Sequence, residues 1–192
     1  VLTCPNNIVQ GNTFNTCQAA VTFTLPTPTD NCTGATLQSS HASGSNFNVG
    51  TTTVTHTATD GVGNSTTCSF TVTVNDTQPP VAVCPSNITQ PASAGQCSAA
   101  ITYSIPPASD NCTGNPLEFA TIPSGSNFNV GTTTVQVIAT DAANNTGTCT
   151  FTVTITDNQP PVAQCPTNIT QTLGTGICST AVTYSIPTAF DN

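Results

Sequence analysis

The 192 residues contain no lysine, no arginine, no methionine and no tryptophan, and the eight acidic residues leave a net charge of −8. Nucleic acid binding gains affinity when cationic side chains displace counterions from phosphate, so that class of partner is excluded. Attraction to an anionic membrane surface is excluded on the same ground. No apolar run approaches the ~20 residues that a membrane-spanning helix needs, and this segment is not expected to insert into a membrane. No start methionine or signal peptide opens the chain. With two tyrosines and no tryptophan, an aromatic platform for sugars has little to be built from. Zinc is disfavoured, because no Cys-x-x-Cys pair exists and His41 and His56 are not placed like ligands. With no Lys or Arg to pair with, the carboxylates must be satisfied by water, backbone amides or a metal ion.

What is present is repetition. Cys4-Pro5-Asn6-Asn7-Ile8 returns as Cys84-Pro85-Ser86-Asn87-Ile88 and as Cys165-Pro166-Thr167-Asn168-Ile169, at steps of 80 and 81 residues. Cys17, Cys97 and Cys178 keep the same register, as do Cys32 with Cys112 and Cys68 with Cys149, and Gly44 to Val54 is repeated unchanged from Gly125 to Val135. A period this long is a whole small domain. The expected division is 1–80, 81–161 and the N-terminal part of a third domain at 162–192. Domains of about 80 residues lie near the lower limit of independent stability, and four cysteines per repeat would supply two stapling disulfides each. Disulfides imply an oxidising, extracellular setting. The chain reads as a window from a longer polypeptide, with export signal and anchor expected outside it.

The periodicity is that of strands. Val21, Phe23 and Leu25 alternate with threonine, and Ile101, Tyr103, Ile105 and Val182, Tyr184, Ile186 alternate likewise. Residues 52–59 put Val54, His56 and Ala58 on one face. In the stretch that begins at Cys68, Phe70, Val72 and Val74 face inward, matched by Phe151, Val153 and Ile155. Threonine takes most outward positions, which suits strands. The fold class expected is all-β: tandem immunoglobulin-like or fibronectin-like β-sandwich domains, disulfide-stapled. Asp76-Thr77-Gln78-Pro79-Pro80 and Asp157-Asn158-Gln159-Pro160-Pro161 read as short stiff linkers, giving a rod-like array.

Cys-Pro-x-Asn-Ile, the Pro-x-x-x-Asp-Asn turns (Pro26 to Asn31, Pro106 to Asn111) and Phe-Asn-Val-Gly-Thr-Thr-Thr-Val together resemble the hyalin repeat, or HYR domain. Ala58-Thr59-Asp60 with its following Asn64, Cys68-Ser69-Phe70-Thr71-Val72 and the closing Pro79-Pro80 add to the resemblance. It covers essentially the whole chain. It implies an extracellular, non-enzymatic immunoglobulin-like module of adhesion and matrix proteins, while naming no ligand. The chain departs from the family in its missing basic residues and its extra cysteine pair per domain. In the resembled family Cys4 with Cys68, and Cys84 with Cys149, is the common pairing. That leaves Cys17 with Cys32 and Cys97 with Cys112. The competing pattern, Cys4 with Cys17 and Cys32 with Cys68, stays open at the level of sequence.

Seven of the eight acids are aspartates in repeated positions: Asp30, Asp110 and Asp191 in one turn, Asp60 and Asp141 in another, Asp76 and Asp157 in the linkers. In a sandwich these turns share a pole on which the incoming linker lands. Asp76, Asp110 and Asp141 are therefore expected to converge, with Asn111 and Asn144 adding neutral oxygens, and Asp30, Asp60, Asp157 and Asp191 as the equivalent ligands in the other repeats. Hard oxygen ligands with no competing cation suit Ca²⁺. Asp and Asn are also favoured in turns for their own backbone chemistry, which is the plainer account of the same residues. His56, expected in the core, and His41, expected in a loop, have no counterparts in the second repeat, so no Ser-His-Asp arrangement is supported. The functional expectation is a structural shaft segment of a long extracellular surface fibre or adhesin, with copies of itself as partners in a homo-oligomeric filament and a surface ligand that the sequence does not name. The alternative is a carbohydrate- or protein-binding extracellular module. Near-identity of the repeats favours the shaft.

Overall fold

The structure, a computed structural model, describes residues 1–31 and 34–191. It is all-β, with no helix among the described residues. In the first repeat β1 (Ile8–Gly11), β2 (Gln18–Ala20), β3 (Thr36–Ser39), β4 (Asn46–Asn48), β5 (Gly50–Thr59) and β6 (Ser65–Asn75) form sheets ordered β1-β6-β5-β3 and β2-β4. The second repeat follows the same plan. Its strands β7 (Ile88–Pro91), β8 (Ser98–Ile101), β9 (Leu117–Ala120), β10 (Ser126–Asn129), β11 (Gly131–Thr140) and β12 (Thr146–Thr156) form sheets ordered β7-β12-β11-β9 and β10-β8. These are the sandwich halves that the alternation implies.

Contacts gather the chain into two compact units that do not follow the sequence repeats. One comprises Val1–Cys84, Ile105–Thr121 and Gln136–Thr150; the other comprises Pro85–Ser104, Ile122–Val135 and Phe151–Asn192. In the first, β5 and β6 form a long antiparallel hairpin, with Val54 opposite Phe70 and His56 opposite Cys68. Period-two alternation sends Val54, Phe70, Val72 and Val74 inward, onto Ala19, Val21 and Phe47 of the facing layer. Strand β1 runs parallel to β6, with Ile8 opposite Val72. Asn7 Oδ1 accepts a hydrogen bond from Thr71 N at 2.9 Å, just ahead of that ladder. Cys4, packed against this core, is bonded to Cys68 with a Cα–Cα distance of 5.7 Å. Cys84 is bonded to Cys149 in the same register. In the second unit Ala99, Ile101, Phe128, Val135, Phe151, Val153 and Ile155 are the buried apolar residues, and Tyr103 meets Phe151 edge-on at 4.9 Å between centroids.

Two of the expected strands are shorter than the alternation suggests. Pairing ends at Ala20, because Val21 N donates to Ser45 O at 3.1 Å and Phe23 N to Ser43 Oγ at 2.8 Å, partners in a turn. Tyr103 N likewise donates to Ser124 Oγ at 2.8 Å, beyond the end of β8. The stretch with Val182, Tyr184 and Ile186 forms no strand, and these side chains are exposed. A strand needs a partner for its backbone groups. The partner of β8 is β10, and residues 162–192 hold no counterpart of β10.

His56 is fully buried, stacked on Phe70 and tilted against Phe23, and neither ring nitrogen has a hydrogen-bond partner. Burial pushes its pKa below the ordinary value. Its β partners, Ser39 and Cys68, and its ring neighbours carry no charge to offset this. In the second repeat Val137 takes the same position. An imidazole N–H left unpaired in the core costs about 1–3 kcal/mol, so His56→Val is expected to raise stability by about 1–2 kcal/mol, part of the gain going to a slightly smaller side chain. The sign with pH follows from protons bound. Below about pH 6.5 the unfolded histidine protonates while the buried one resists, so the stability present above that pH is lost as pH falls. Denaturant melts of both chains between pH 5 and 8 check this, and a wild-type slope as flat as the variant's would contradict it.

Candidate functional site

Five residues separate β5 from β6, and Asp60 organises them. Its Oδ1 accepts from Val62 N and Asn64 N, both at 2.9 Å, and its Oδ2 accepts from Asn64 Nδ2 at 2.9 Å. The Asn64 side-chain amide, with the backbone N–H groups of Asn64, Val62 and Gly63, holds the Asp60 carboxyl below the usual carboxylate range. The loop between β11 and β12 repeats this clasp. Asp141 Oδ1 accepts from Ala143 N and Asn145 N at 2.9 and 2.8 Å, and Oδ2 from Asn145 Nδ2 at 2.8 Å. Turn chemistry therefore explains Asp60 and Asp141 locally.

At Asp141 more is present than a turn. Asp76, just after β6, and Asp110, between β8 and β9, each bring a carboxylate oxygen to it, and the three ligand atoms lie within 4.8 Å of one another. All three residues belong to the first compact unit. Asp76 and Asp141 are 8% and 6% exposed, which places two carboxylates in a nearly dry environment with no Lys or Arg anywhere in the chain. Asp76 Oδ1 accepts from Gln78 N at 3.2 Å and Asn12 Nδ2 at 3.3 Å. Asp110 Oδ2 accepts from Cys112 N and Thr113 N at 2.8 and 2.7 Å. The other oxygen of each, Asp76 Oδ2 and Asp110 Oδ1, is buried without a hydrogen-bond partner. Buried anionic oxygens left bare next to a third carboxylate are costly unless a cation joins them.

The linker is seated on this pole by backbone contacts. Val81 and Ser109 form an antiparallel bridge, with Val81 N donating at 2.8 Å, and Asn145 Nδ2 donates to Asp76 O at 3.3 Å. Gly147 passes so close to Pro80 that an added Cβ would stand 1.8 Å from the Pro80 carbonyl oxygen.

Several expected ligands lie elsewhere. Asn144 is not the amide that reaches the cluster. It sits in the left-handed region at φ 69°, its N–H donating to Asp141 O, while Asn145 supplies the side-chain amide. The register carried this, since Asn145, not Asn144, is the counterpart of Asn64. Asn111 turns its amide nitrogen to Thr16 O at 2.9 Å and to Cys112 Sγ. Asp30 and Asp60 line a separate cleft with Val1, Thr29 and Asn64. Asp157 is exposed, with Oδ1 accepting from Gln159 N at 3.0 Å as Asp76 does from Gln78, and Asp191 is likewise exposed at the end of the described chain. Asn12 was not foreseen. It is held by Thr77 through Oδ1 and points Nδ2 at Asp76, Thr16 O and Cys112 Sγ.

Beside the cluster the disulfide framework departs from the expected one. Cys17 is bonded to Cys112, 95 residues away, with a Cα–Cα distance of 4.9 Å. The expected bonds from Cys17 to Cys32 and from Cys97 to Cys112 are therefore replaced. Cys32 lies outside the described residues, and Cys97 is exposed and free. The physical reason is the linker: by turning straight onto the pole it brings the Asp110–Thr113 turn of one repeat against the Thr13–Cys17 turn of the repeat before it.

Comparison with known proteins agrees with this repeat structure. The HYR domain profile matches residues 1–74, 75–155 and 156–192. Hyalin from Strongylocentrotus purpuratus is 41% identical over 191 residues, 96% of this chain, and hyalin from Lytechinus variegatus is 40% identical over 93% of it. The chain spans 16% and 35% of those two proteins. Among solved structures, the human protocadherin-24 EC1-2 pair covers 81% of this chain and 95% of its own, at 11% identity and a TM-score of 0.39. With three successive matches spanning every residue, the chain belongs to the HYR domain family.

Proposed function

We propose that this extracellular chain is a structural shaft segment of a long surface fibre or adhesin, built of domains at 1–80, 81–161 and the opening part of a third at 162–192, with copies of itself as its assembly partners. In this reading Ca²⁺ ties the linker to the pole it lands on. The observation that carries it is the trio Asp76, Asp110 and Asp141, gathered within 4.8 Å with two buried oxygens lacking any partner. The donor set is all carboxylate, which fits a hard divalent ion such as Ca²⁺. Asp76, Asp110 and Asp141 would hold the ion, and it would supply the positive charge that the chain itself lacks. Near-identity of the repeats supports a shaft over a dedicated ligand site, since such a site would set one domain apart.

A ligand bound only by the folded state stabilises it by about 2.7 kcal/mol at a hundred times its dissociation constant. Ca²⁺ in excess is therefore expected to raise the melting temperature by several degrees over the chelated protein, with Mg²⁺ acting more weakly. Asp76→Asn with Asp110→Asn should remove the response and melt at a similar or higher temperature without calcium, because two bare carboxylates become neutral. Absence of any calorimetric binding signal, with no metal by elemental analysis, would return the three aspartates to turn duty.

A further inference from the structure

The Cys17–Cys112 bond joins the second cysteine of one repeat to the third cysteine of the next. Its surroundings occur twice. At the first occurrence Asn15, at φ 56°, lets the turn close with its N–H on Gln78 Oε1 at 2.8 Å, and Gln78 Nε2 donates to Thr13 O at 3.1 Å. The Cys17 carbonyl accepts from Val49 N, and Asn12 N donates to Asn75 O. The linker then bridges Val81 to Ser109, three residues before Cys112.

In the second compact unit each of these contacts recurs around Cys97. Gly95, at φ 71°, donates to Gln159 Oε1 at 3.0 Å, and Gln159 Nε2 donates to Ser93 O at 3.2 Å. The Cys97 carbonyl accepts from Val130 N, and Ala92 N donates to Thr156 O. The next linker bridges Val162 to Phe190 in the same antiparallel manner. Only the partner thiol is missing: no cysteine follows Cys178 in this sequence, so none stands in the register of Cys112. Cys97 is correspondingly exposed and free.

We infer that Cys97 is one half of a second cross-repeat staple, whose other half is a cysteine thiol of the following repeat standing where Cys112 stands, so that consecutive repeats are joined covalently all along the array. The bond forms when the two thiols lose two protons and two electrons to a disulfide oxidant such as oxidised glutathione, which leaves as two reduced thiols. No cation is needed for this step, so the inference stands apart from the calcium reading.

The test extends the full chain by one cysteine after Asn192, 81 residues beyond Cys112, the step that separates Cys84 from Cys165. Both chains are refolded in a glutathione redox buffer and alkylated without reduction. They are then cut with an aspartate-directed protease, since trypsin has no site. In the original chain Cys97 should carry the alkyl label beside an intact Cys17–Cys112 peptide. In the extended chain the label on Cys97 should be lost, and a peptide should join it to the added cysteine at the intact mass of one chain. A chain extended by serine should keep the label. A bond from Cys97 to Cys112, a labelled Cys97 in the cysteine-extended chain, or a bond from Cys97 to a second copy would each overturn the inference.

Discussion

Replacing Cys4 and Cys68 together by alanine is expected to remove about 4 kcal/mol from the first repeat. The bond spans 64 residues, and a cross-link over a loop of that size restricts the unfolded chain by roughly that amount. Against the 5–15 kcal/mol typical of a whole domain, this is a large share of the stability. At about 4–8 °C per kcal/mol for a domain this small, the melting temperature should fall by some 15–30 °C. Alanine is the suitable replacement because Cys4 packs against the core cluster, where a hydroxyl would add a second penalty. Intrinsic fluorescence cannot follow the change, since Tyr103 and Tyr184 both lie outside the first repeat. Hydrogen exchange of the β5 and β6 amides can. Cys97→Ser, at an exposed free thiol, should cost less than about 0.5 kcal/mol. A double alanine variant with exchange protection equal to wild type would show that the core alone holds the sheet.

The strands were legible because alternation is local. Val54, His56 and Ala58 on β5 and Phe70, Val72 and Val74 on β6 are buried as period two requires. Where alternation misled, at Phe23 to Leu25 and at Val182 to Ile186, it reported a face correctly or not at all, but it could not report whether a partner strand exists. Gathering Asp76, Asp110 and Asp141 required only that two loops and a linker share one pole, and the repeated register carries that information. The Cys17–Cys112 bond was not legible within one repeat. Cys32 and Cys112 are equivalent in sequence, so spacing alone cannot tell a bond inside a repeat from one that crosses into the next. Asn12 was equally hidden, because its counterpart is Ala92 and it therefore never stood out as part of the pattern.

One difference between the repeats did carry the junction. Thr66 in β6 is replaced by Gly147 in β12, within stretches that otherwise match closely. The absence of a side chain is what lets the Pro80 backbone lie against the strand, with the Pro80 carbonyl oxygen 1.8 Å from where a Cβ would sit. The obstacle is backbone, which cannot rotate aside as a side chain can. Gly147→Ala should therefore cost at least the upper end of the ~1–3 kcal/mol range for overpacking. Relief requires the linker to lift, and lifting it breaks the Val81–Ser109 bridge and draws Asp76 away from Asp110 and Asp141. The expected signature has two parts: faster hydrogen exchange at the Val81 and Ser109 amides, and loss of the calcium-dependent rise in melting temperature. The reverse change, Thr66→Gly, should cost only about 1 kcal/mol, the ordinary penalty for glycine in a strand. If Gly147→Ala leaves both the exchange rates and the calcium response unaltered, the linker does not rest where the close approach of Pro80 puts it.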